Sequence, residues 1–245
     1  MELVGHRGCP DHGPENTARA VAAAARHLPA VEVDLRRCGS GELVAAHDER
    51  VDGFTDGQGR VADLDLDGLR ELRVGGSDEP VATFAEVLDA VPAAVTLQVE
   101  LKEPGLWRDV RAALAADGRS NVRLSSFSAP ALAEIARSEW DPETGLLFGE
   151  SPTANLDLAA LLDCANVHPH ARLCLDPGGR ALVERAHEAG FGVYAWGLEA
   201  AADERAGGGA DSAADERERR GATVRALADR GVDGVTTDTW DLPRP

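Results

Sequence analysis

The chain reads as an α/β protein, a (β/α)8 TIM barrel with a β-hairpin extension after the second strand. Three observations predict this. Short apolar strands alternate with Ala-rich helical stretches along nearly the whole chain, the pattern of crossover units around a parallel sheet. The 245 residues match one barrel of about 250. In Val31-Glu32-Val33-Asp34-Leu35 and in Val95 to Lys102, apolar residues alternate with polar ones. A barrel wrapped by helices turns the apolar set outward and the polar set inward.

Taken in order, strands are predicted near 2–6, 31–36, 42–47, 95–101, 121–126, 144–149, 164–168, 192–196 and 233–237. Helical spacing marks Thr17–Leu28, Phe84–Val91, Leu106–Ala116, Ala129–Arg137 and Gly179–Ala189. Nine strands are one too many for the barrel. The second and third, however, are separated only by about Arg37 to Gly41, whereas a parallel crossover takes a dozen or more residues, so these two form an antiparallel hairpin. If the second strand runs past the rim and the third folds back, His47 returns to the mouth that the second strand left. No internal repeat is visible, and residues 1–245 read as a single domain. Within it, Glu199–Arg220, with its Gly-Gly-Gly and mixed Asp, Glu and Arg, reads as a mobile, solvated acidic loop.

Composition narrows the function. With 25 Lys plus Arg against 43 Asp plus Glu, the formal charge is 25 − 43 = −18. Such a field repels phosphate backbones, and the arginines are scattered among acids, so nucleic-acid binding is excluded as a function class. No apolar run approaches the roughly 18 residues of a membrane helix, so stable membrane insertion is not expected. The N-terminus shows no basic-then-apolar leader, which points to the cytoplasm. A chain with one lysine (Lys102), one isoleucine (Ile135) and abundant Asp and Glu resembles halophilic proteins. At molar salt the Debye length is about 3 Å, so an acidic surface no longer repels itself. Cys9, Cys38, Cys164 and Cys174 have no C-x-x-C spacing and read as buried free thiols.

The inward-facing charges carry the chemistry. Glu32 and Asp34, two apart on one strand, have Cα atoms about 6.6 Å apart and carboxylates on the same face. Glu100 adds a third carboxylate from another strand. Three such acids form an oxygen cage for one divalent cation, Mg2+, Ca2+ or Mn2+, or else pair with arginines such as Arg7 and Arg36. His6 follows the first strand and His47 ends the hairpin, so both belong at the C-terminal mouth where barrels do chemistry. Two imidazoles flanking a phosphodiester can take a proton from the nucleophile and give one to the leaving oxygen; singly, each is more often a structural hydrogen-bonder. Lys102 shares the inward face of Glu100, where its ammonium either holds an anionic substrate or forms a buried ion pair.

The ordered series Gly5-His6-Arg7-Gly8, Pro14-Glu15-Asn16-Thr17, Glu32-x-Asp34, His47-Asp48, Glu100-x-Lys102, Trp196 and Gly231-Val232-Asp233-Gly234-Val235-Thr236-Thr237-Asp238 resembles the glycerophosphodiester phosphodiesterases, over residues 4 to 238. The resemblance implies a TIM barrel that hydrolyses glycerophosphodiesters to glycerol phosphate and an alcohol. It implies that Glu32, Asp34 and Glu100 ligate a divalent cation and that His6 and His47 are the acid–base pair. Arg7 and Lys102 would contact phosphate, with Asn16 and Trp196 also at the substrate, Trp196 near its glycerol end. From the residues alone, Asn16 reads equally as a helix cap and Trp196 as packing.

The sequence departs from the family pattern in three places, one being Trp240, which stands near where a proline is usual after Thr-Asp. Gly197-Leu198-Glu199 stands where the family has Thr-Val-Asn after the tryptophan, and Val51 to Gly59 lacks the usual basic residue, placing Phe54 there. Substrate choice is the property these changes touch. A related phosphodiesterase acting on lysophospholipids would need an apolar groove at the mouth, for which Phe54, Trp107 and Trp240 are candidate linings. A polyol-phosphate-binding barrel without catalysis would not need the paired histidines. Either water or the substrate's own glycerol hydroxyl can serve as nucleophile, the latter through a cyclic phosphate.

Overall fold

The computed structural model of the protein describes residues 1–206 and 212–242. Its strands are β1 (Glu2–Gly5), β2 (Ala30–Arg37), β3 (Leu43–Ala45), β4 (Thr96–Leu101), β5 (Val122–Ser126), β6 (Glu143–Phe148), β7 (Asn166–Pro169), β8 (Gly192–Ala195) and β9 (Gly234–Thr237). All but β3 pair in parallel, and β1 pairs both β9 and β2, so the sheet closes into an eight-stranded barrel. β3 is the extra strand. It lies antiparallel to β2, with Leu35 opposite Ala45 and Arg37 opposite Leu43. The hairpin and the barrel are as the sequence predicts, with strand ends shifted by one or two residues.

Alternation along the strands sorts the side chains. Val31, Val33, Leu35, Leu97, Val99, Leu101, Leu124 and Val167 are buried on the outer face against Val21, Val87, Val110, Leu132 and Ile135 of the surrounding helices, in one continuous core. Charged and polar residues fill the interior. At its N-terminal end Arg123 bonds Glu143 at 2.9 Å and Glu2 at 3.2 Å, and its guanidinium lies 3.7 Å from the centre of the Tyr194 ring. These partners neutralise the buried cation and close the floor, leaving the carboxylates of β2 and β4 at the other end.

Between strands lie α1 (Ala18–Ala24), α2 (Leu66–Glu71), α3 (Phe84–Ala90), α4 (Trp107–Asp117), α5 (Ala129–Ala136), α6 (Pro152–Leu161), α7 (Ala171–Leu175), α8 (Gly179–Glu188), α9 (Leu198–Ala206) and α10 (Ala213–Ala228). Local chemistry starts several of them. Thr17 caps α1 by accepting from the Ala20 N–H at 3.2 Å, and Thr83 with Glu86 forms a reciprocal capping box on α3. The excursion from β3 to α3 carries its own small core of Cys38, Val44, Val51, Val61, Leu69 and Val81.

The stretch Glu199–Arg220 is not the loop its composition suggests, for α9 and α10 occupy most of it. Ala, Glu and Arg are strong helix formers. Leu198, Ala201 and Ala202 of α9 and Val224 and Leu227 of α10 are buried. Ser212 caps α10 by accepting from the Asp215 N–H, and Arg220 pairs with Glu216 one turn earlier and with Asp11. The Gly-Gly-Gly portion of that expected loop, at 207–211, lies outside the described residues. Among the described residues no helix is long and apolar enough to cross a membrane. All four cysteines are free and buried.

Candidate active site

The turn after β1 sets up the site. His6–Gly8 form one 3-10 turn in which Arg7 takes φ 49° and Gly8 φ 82°. A Cβ on Gly8 would stand 2.7 Å from the backbone N of Val21, so glycine is required where the loop presses on α1. The tight turn brings the Arg7 N–H 3.0 Å from Glu32 Oε2, while the Arg7 side chain lies 3.0 Å from Glu15 and 3.2 Å from Asp34. Asn16, also left-handed at φ 56°, donates from Nδ2 to Asp34 Oδ2 at 2.9 Å and accepts from the Asp34 N–H at 3.1 Å. Non-glycine residues in this region carry local strain, which persists where the surroundings over-determine it.

Parallel register aligns the acids. Asp34 stands opposite Glu100, and Glu32 opposite Gln98. One oxygen from each of Glu32, Asp34 and Glu100 lies within 4.8 Å of the others, and all three residues are buried. Lys102 bridges two of them, with Nζ 2.8 Å from Asp34 and 2.6 Å from Glu100. Burial and the Asp34 charge push Glu32 up to about 8. Burial also works against ionising Asp34, yet Lys102 and Arg7 beside it hold it below the usual carboxylate range. The site thus divides into an ionised acid held by cations and an acid short of positive charge.

The two histidines are set differently. His6 Nδ1 lies 2.7 Å from Asp238 Oδ1. Burial disfavours its charge, but the bond to Asp238 and the nearby Glu32 overcome that and raise it to about 9. His47 Nδ1 lies 2.7 Å from Asp48, its carbonyl accepts two bonds from Arg36, and burial pulls its titration below the ordinary range. Trp196 follows β8 directly, its Nε1 donating to the Phe148 carbonyl at 3.2 Å and its ring meeting Phe127 edge-on at 5.2 Å and His170 at 4.5 Å.

One cavity of about 270 Å³ opens at the C-terminal mouth, lined by His6, Arg7, Glu32, His47, Glu100, Glu199 and Asp238 and, from the ends of β5, β6 and β8, by Phe127, Leu147 and Trp196. The model of the glycerophosphoryl diester phosphodiesterase family matches residues 6–242. The chain belongs to that family. It is 24% identical over 250 residues to a glycerophosphodiester phosphodiesterase of Caldanaerobacter subterraneus, covering 96% of this chain and 93% of the relative. Among solved structures, a glycerophosphodiester phosphodiesterase of Agrobacterium tumefaciens superposes with a TM-score of 0.76 at 22% identity, covering 98% of this chain and 97% of that one. An Oleispira antarctica phosphodiesterase, solved with the product sn-glycerol-3-phosphate, superposes at 0.77 with 23% identity, covering 97% and 93%.

Against the family pattern, the structure brings His6, His47, Arg7, Glu32, Glu100 and Trp196 to the cavity wall and places Asp34 directly behind them. Two residues expected at the substrate are engaged with the acids in this structure. Asn16 is only 3% exposed and spends both ends of its amide on Asp34. Lys102 is turned onto Asp34 and Glu100, because two buried carboxylates at bonding distance outcompete an open cavity for an ammonium. The aromatic linings expected at the mouth are also displaced. Phe54 packs on the small core, Trp107 sits in the main core, and Trp240 stacks between His12 and His27. Phe127 and Leu147 take that wall instead. Sequence reasoning gave no role to Asp238, Glu199 or Phe127, although Asp238 stands in the terminal Thr-Asp motif and Glu199 directly after the tryptophan segment.

The donor set suits a hard divalent cation. All three groups are carboxylates, and ligand distances of about 2.0–2.6 Å accommodate oxygens up to roughly 5 Å apart, so a 4.8 Å cluster fits. The raised Glu32 marks where positive charge is missing.

Proposed function

We propose that the protein hydrolyses glycerophosphodiesters to glycerol phosphate and an alcohol with a divalent cation and a histidine pair. One observation carries the reading: two imidazoles with oppositely displaced titrations, each anchored through Nδ1 to an aspartate, face one cavity with an acidic trio. Paired groups whose surroundings drive their protonation apart are the mark of an acid and a base.

His6, held by Asp238 and charged at neutral pH, keeps an Nε2–H to give to the leaving alkoxide. His47, neutral and with Nδ1 engaged by Asp48, keeps an Nε2 lone pair to take the proton of the attacking hydroxyl. The P–O bond to the attacking oxygen forms as the P–O bond to the alcohol breaks, and the proton taken at His47 balances the one given by His6. Arg7 faces the cavity and stabilises the equatorial phosphate charge; the third N–H of Lys102, beyond the two on Asp34 and Glu100, is available to the same oxygens. Glu32, Asp34 and Glu100 would hold a divalent cation, which when bound neutralises and polarises the phosphodiester. Water-assisted hydrolysis and internal attack by the glycerol hydroxyl share this arrangement. A binding barrel without catalysis would have no use for the split pair.

The test is release of glycerol phosphate from glycerophosphocholine and glycerophosphoglycerol, beside their lyso forms, with Mg2+, Ca2+ or Mn2+. Turnover of the deacylated diesters, abolished by His47→Ala with affinity retained, is the expected result. No turnover with any cation overturns the reading, and preference for the lyso forms replaces its substrate.

A further inference from the structure

Glu199 is a cavity residue that the acid–base scheme does not use. It is the second residue of α9, three after Trp196, and the turn into that helix depends on Gly197. Gly197 has φ 73°, and a Cβ there would come 2.7 Å from His170 Nε2. The chain therefore leaves β8 sharply and sets the Glu199 carboxylate beside the end of β9. Its Oε1 accepts from the Asp238 N–H at 2.8 Å and from the Thr237 hydroxyl at 3.2 Å. Glu199 forms no ion pair among the described residues, and its charge is met by these donors and by its own backbone N–H.

Charge decides which part of a diester meets this wall. Arg7, His6 and the acidic trio lie at one side of the cavity and claim the phosphate. Trp196, Phe127 and Leu147 make the other side, a ring pinned on two edges, and Glu199 lines the same cavity from the first turn of α9, three residues after Trp196. A polyol matches that pair, its carbon chain lying on the ring and its hydroxyls donating to the carboxylate. Resting on the proposed function, every substrate carries a glycerol unit while the alcohol varies, so a fixed wall is matched to the glycerol.

We propose that Glu199 is a specificity-determining residue that accepts hydrogen bonds from the free hydroxyls of the glycerol unit over the Trp196 ring, restricting the enzyme to diesters whose glycerol is unacylated. A carboxylate acceptor strengthens hydroxyl recognition over the neutral asparagine of the family pattern. It also leaves a desolvated charge unpaired when an acyl chain replaces the donor, which penalises lysophospholipids.

The experiment removes the interaction from both sides. Binding of sn-glycerol 3-phosphate and of n-propyl phosphate, the same chain without hydroxyls, is measured by calorimetry with Mg2+ at about pH 8.5, above the value of about 7 that burial and Asp238 give Glu199. The wild type is expected to bind n-propyl phosphate at least about tenfold more weakly, and Glu199→Gln, which retains the acceptor for Asp238, is expected to narrow that gap to about threefold or less. An equal gap in both proteins overturns the proposal, as does equal weakening of both ligands, which would mark Glu199 as acting only through Asp238. Should Glu199→Gln fail to fold, the wild-type comparison decides: no preference for the hydroxylated ligand, or tighter binding of phosphocholine than of glycerol phosphate, overturns it. A wild type that binds glycerol phosphate selectively but turns over no diester fails the proposed function alone.

Discussion

Asn16 is bonded to Asp34 at both ends of its amide, donating to Oδ2 at 2.9 Å and accepting from the backbone N–H at 3.1 Å. The residue holds a left-handed backbone at φ 56° to do so, which costs on the order of 1 kcal/mol for a non-glycine residue. Its work is to aim the central acid of the trio.

Replacing Asn16 separates strain from aim. Asn16→Gly removes both bonds while relieving the backbone, so its thermal stability should stay close to the wild type, whereas its affinity for a divalent cation should fall about 10- to 100-fold, the usual cost of losing a group that orients a ligand. A Mn2+ titration followed by electron paramagnetic resonance reads this directly. Unchanged affinity would show that Asp34 needs no help.

The His6–Asp238 pair sets the alkaline side of activity. His6 is raised to about 9 against burial by the bond to Asp238 and by Glu32. An imidazolium acid is present below that value and lost as pH rises through it, so kcat should fall on the alkaline side. Asp238→Asn removes the charge that supports the proton, and the falling limb should move to lower pH with kcat reduced by about 10- to 1000-fold. The pH profile of kcat is the measurement. A limb that stays in place would assign it to another group.

Glu32 makes the metal-free protein sensitive to pH in the opposite sense from most carboxylates. Its folded value of about 8 lies above its unfolded value of 4.5. Between those limits the folded state holds a proton that the unfolded state has released, so stability conferred at low pH is lost as pH rises from about 4.5 to about 8. Thermal melts in chelator should show that decline. Added Mg2+ or Ca2+ should offset it at the upper end by binding the folded state alone. Glu32→Gln should flatten the decline and lower turnover more than about a hundredfold. A chelated wild type with no such slope would contradict the assignment.

Much of this arrangement was legible in the sequence because strand periodicity fixes faces. Glu32, Asp34 and Glu100 point inward for the same reason that Val31, Val33 and Leu35 point outward, and the short Arg37–Gly41 connection forces the hairpin that returns His47. Destinations of long side chains were less legible. Lys102 and Asn16 lie at the expected place yet turn to Asp34, since such a choice depends on which acids cross the sheet. Glu199 was obscured for a different reason. A stretch of Ala, Glu, Arg and Gly has no strong apolar period, and α9 and α10 become helices by propensity, by the Ser212 cap and by burying small residues.

The charge of −18 yields the last expectation. Surface pairs such as Arg50–Asp52 and Arg217–Asp241 weaken when salt screens them, but exposed pairs contribute only about 0–1 kcal/mol each. Such pairs leave the net charge of −18 uncancelled, and its self-repulsion relaxes as the Debye length falls from about 10 Å at 0.1 M to about 3 Å at 1 M. Repulsion relief should therefore win, and the thermal midpoint should rise with KCl, most steeply below about 0.5 M where screening changes fastest. Sucrose, which strengthens burial without screening, should give a rise with no such steep onset. A midpoint that is flat or falls with KCl over that range would mean that ion pairs outweigh the excess charge, and would remove the reason for reading this composition as an adaptation to salt.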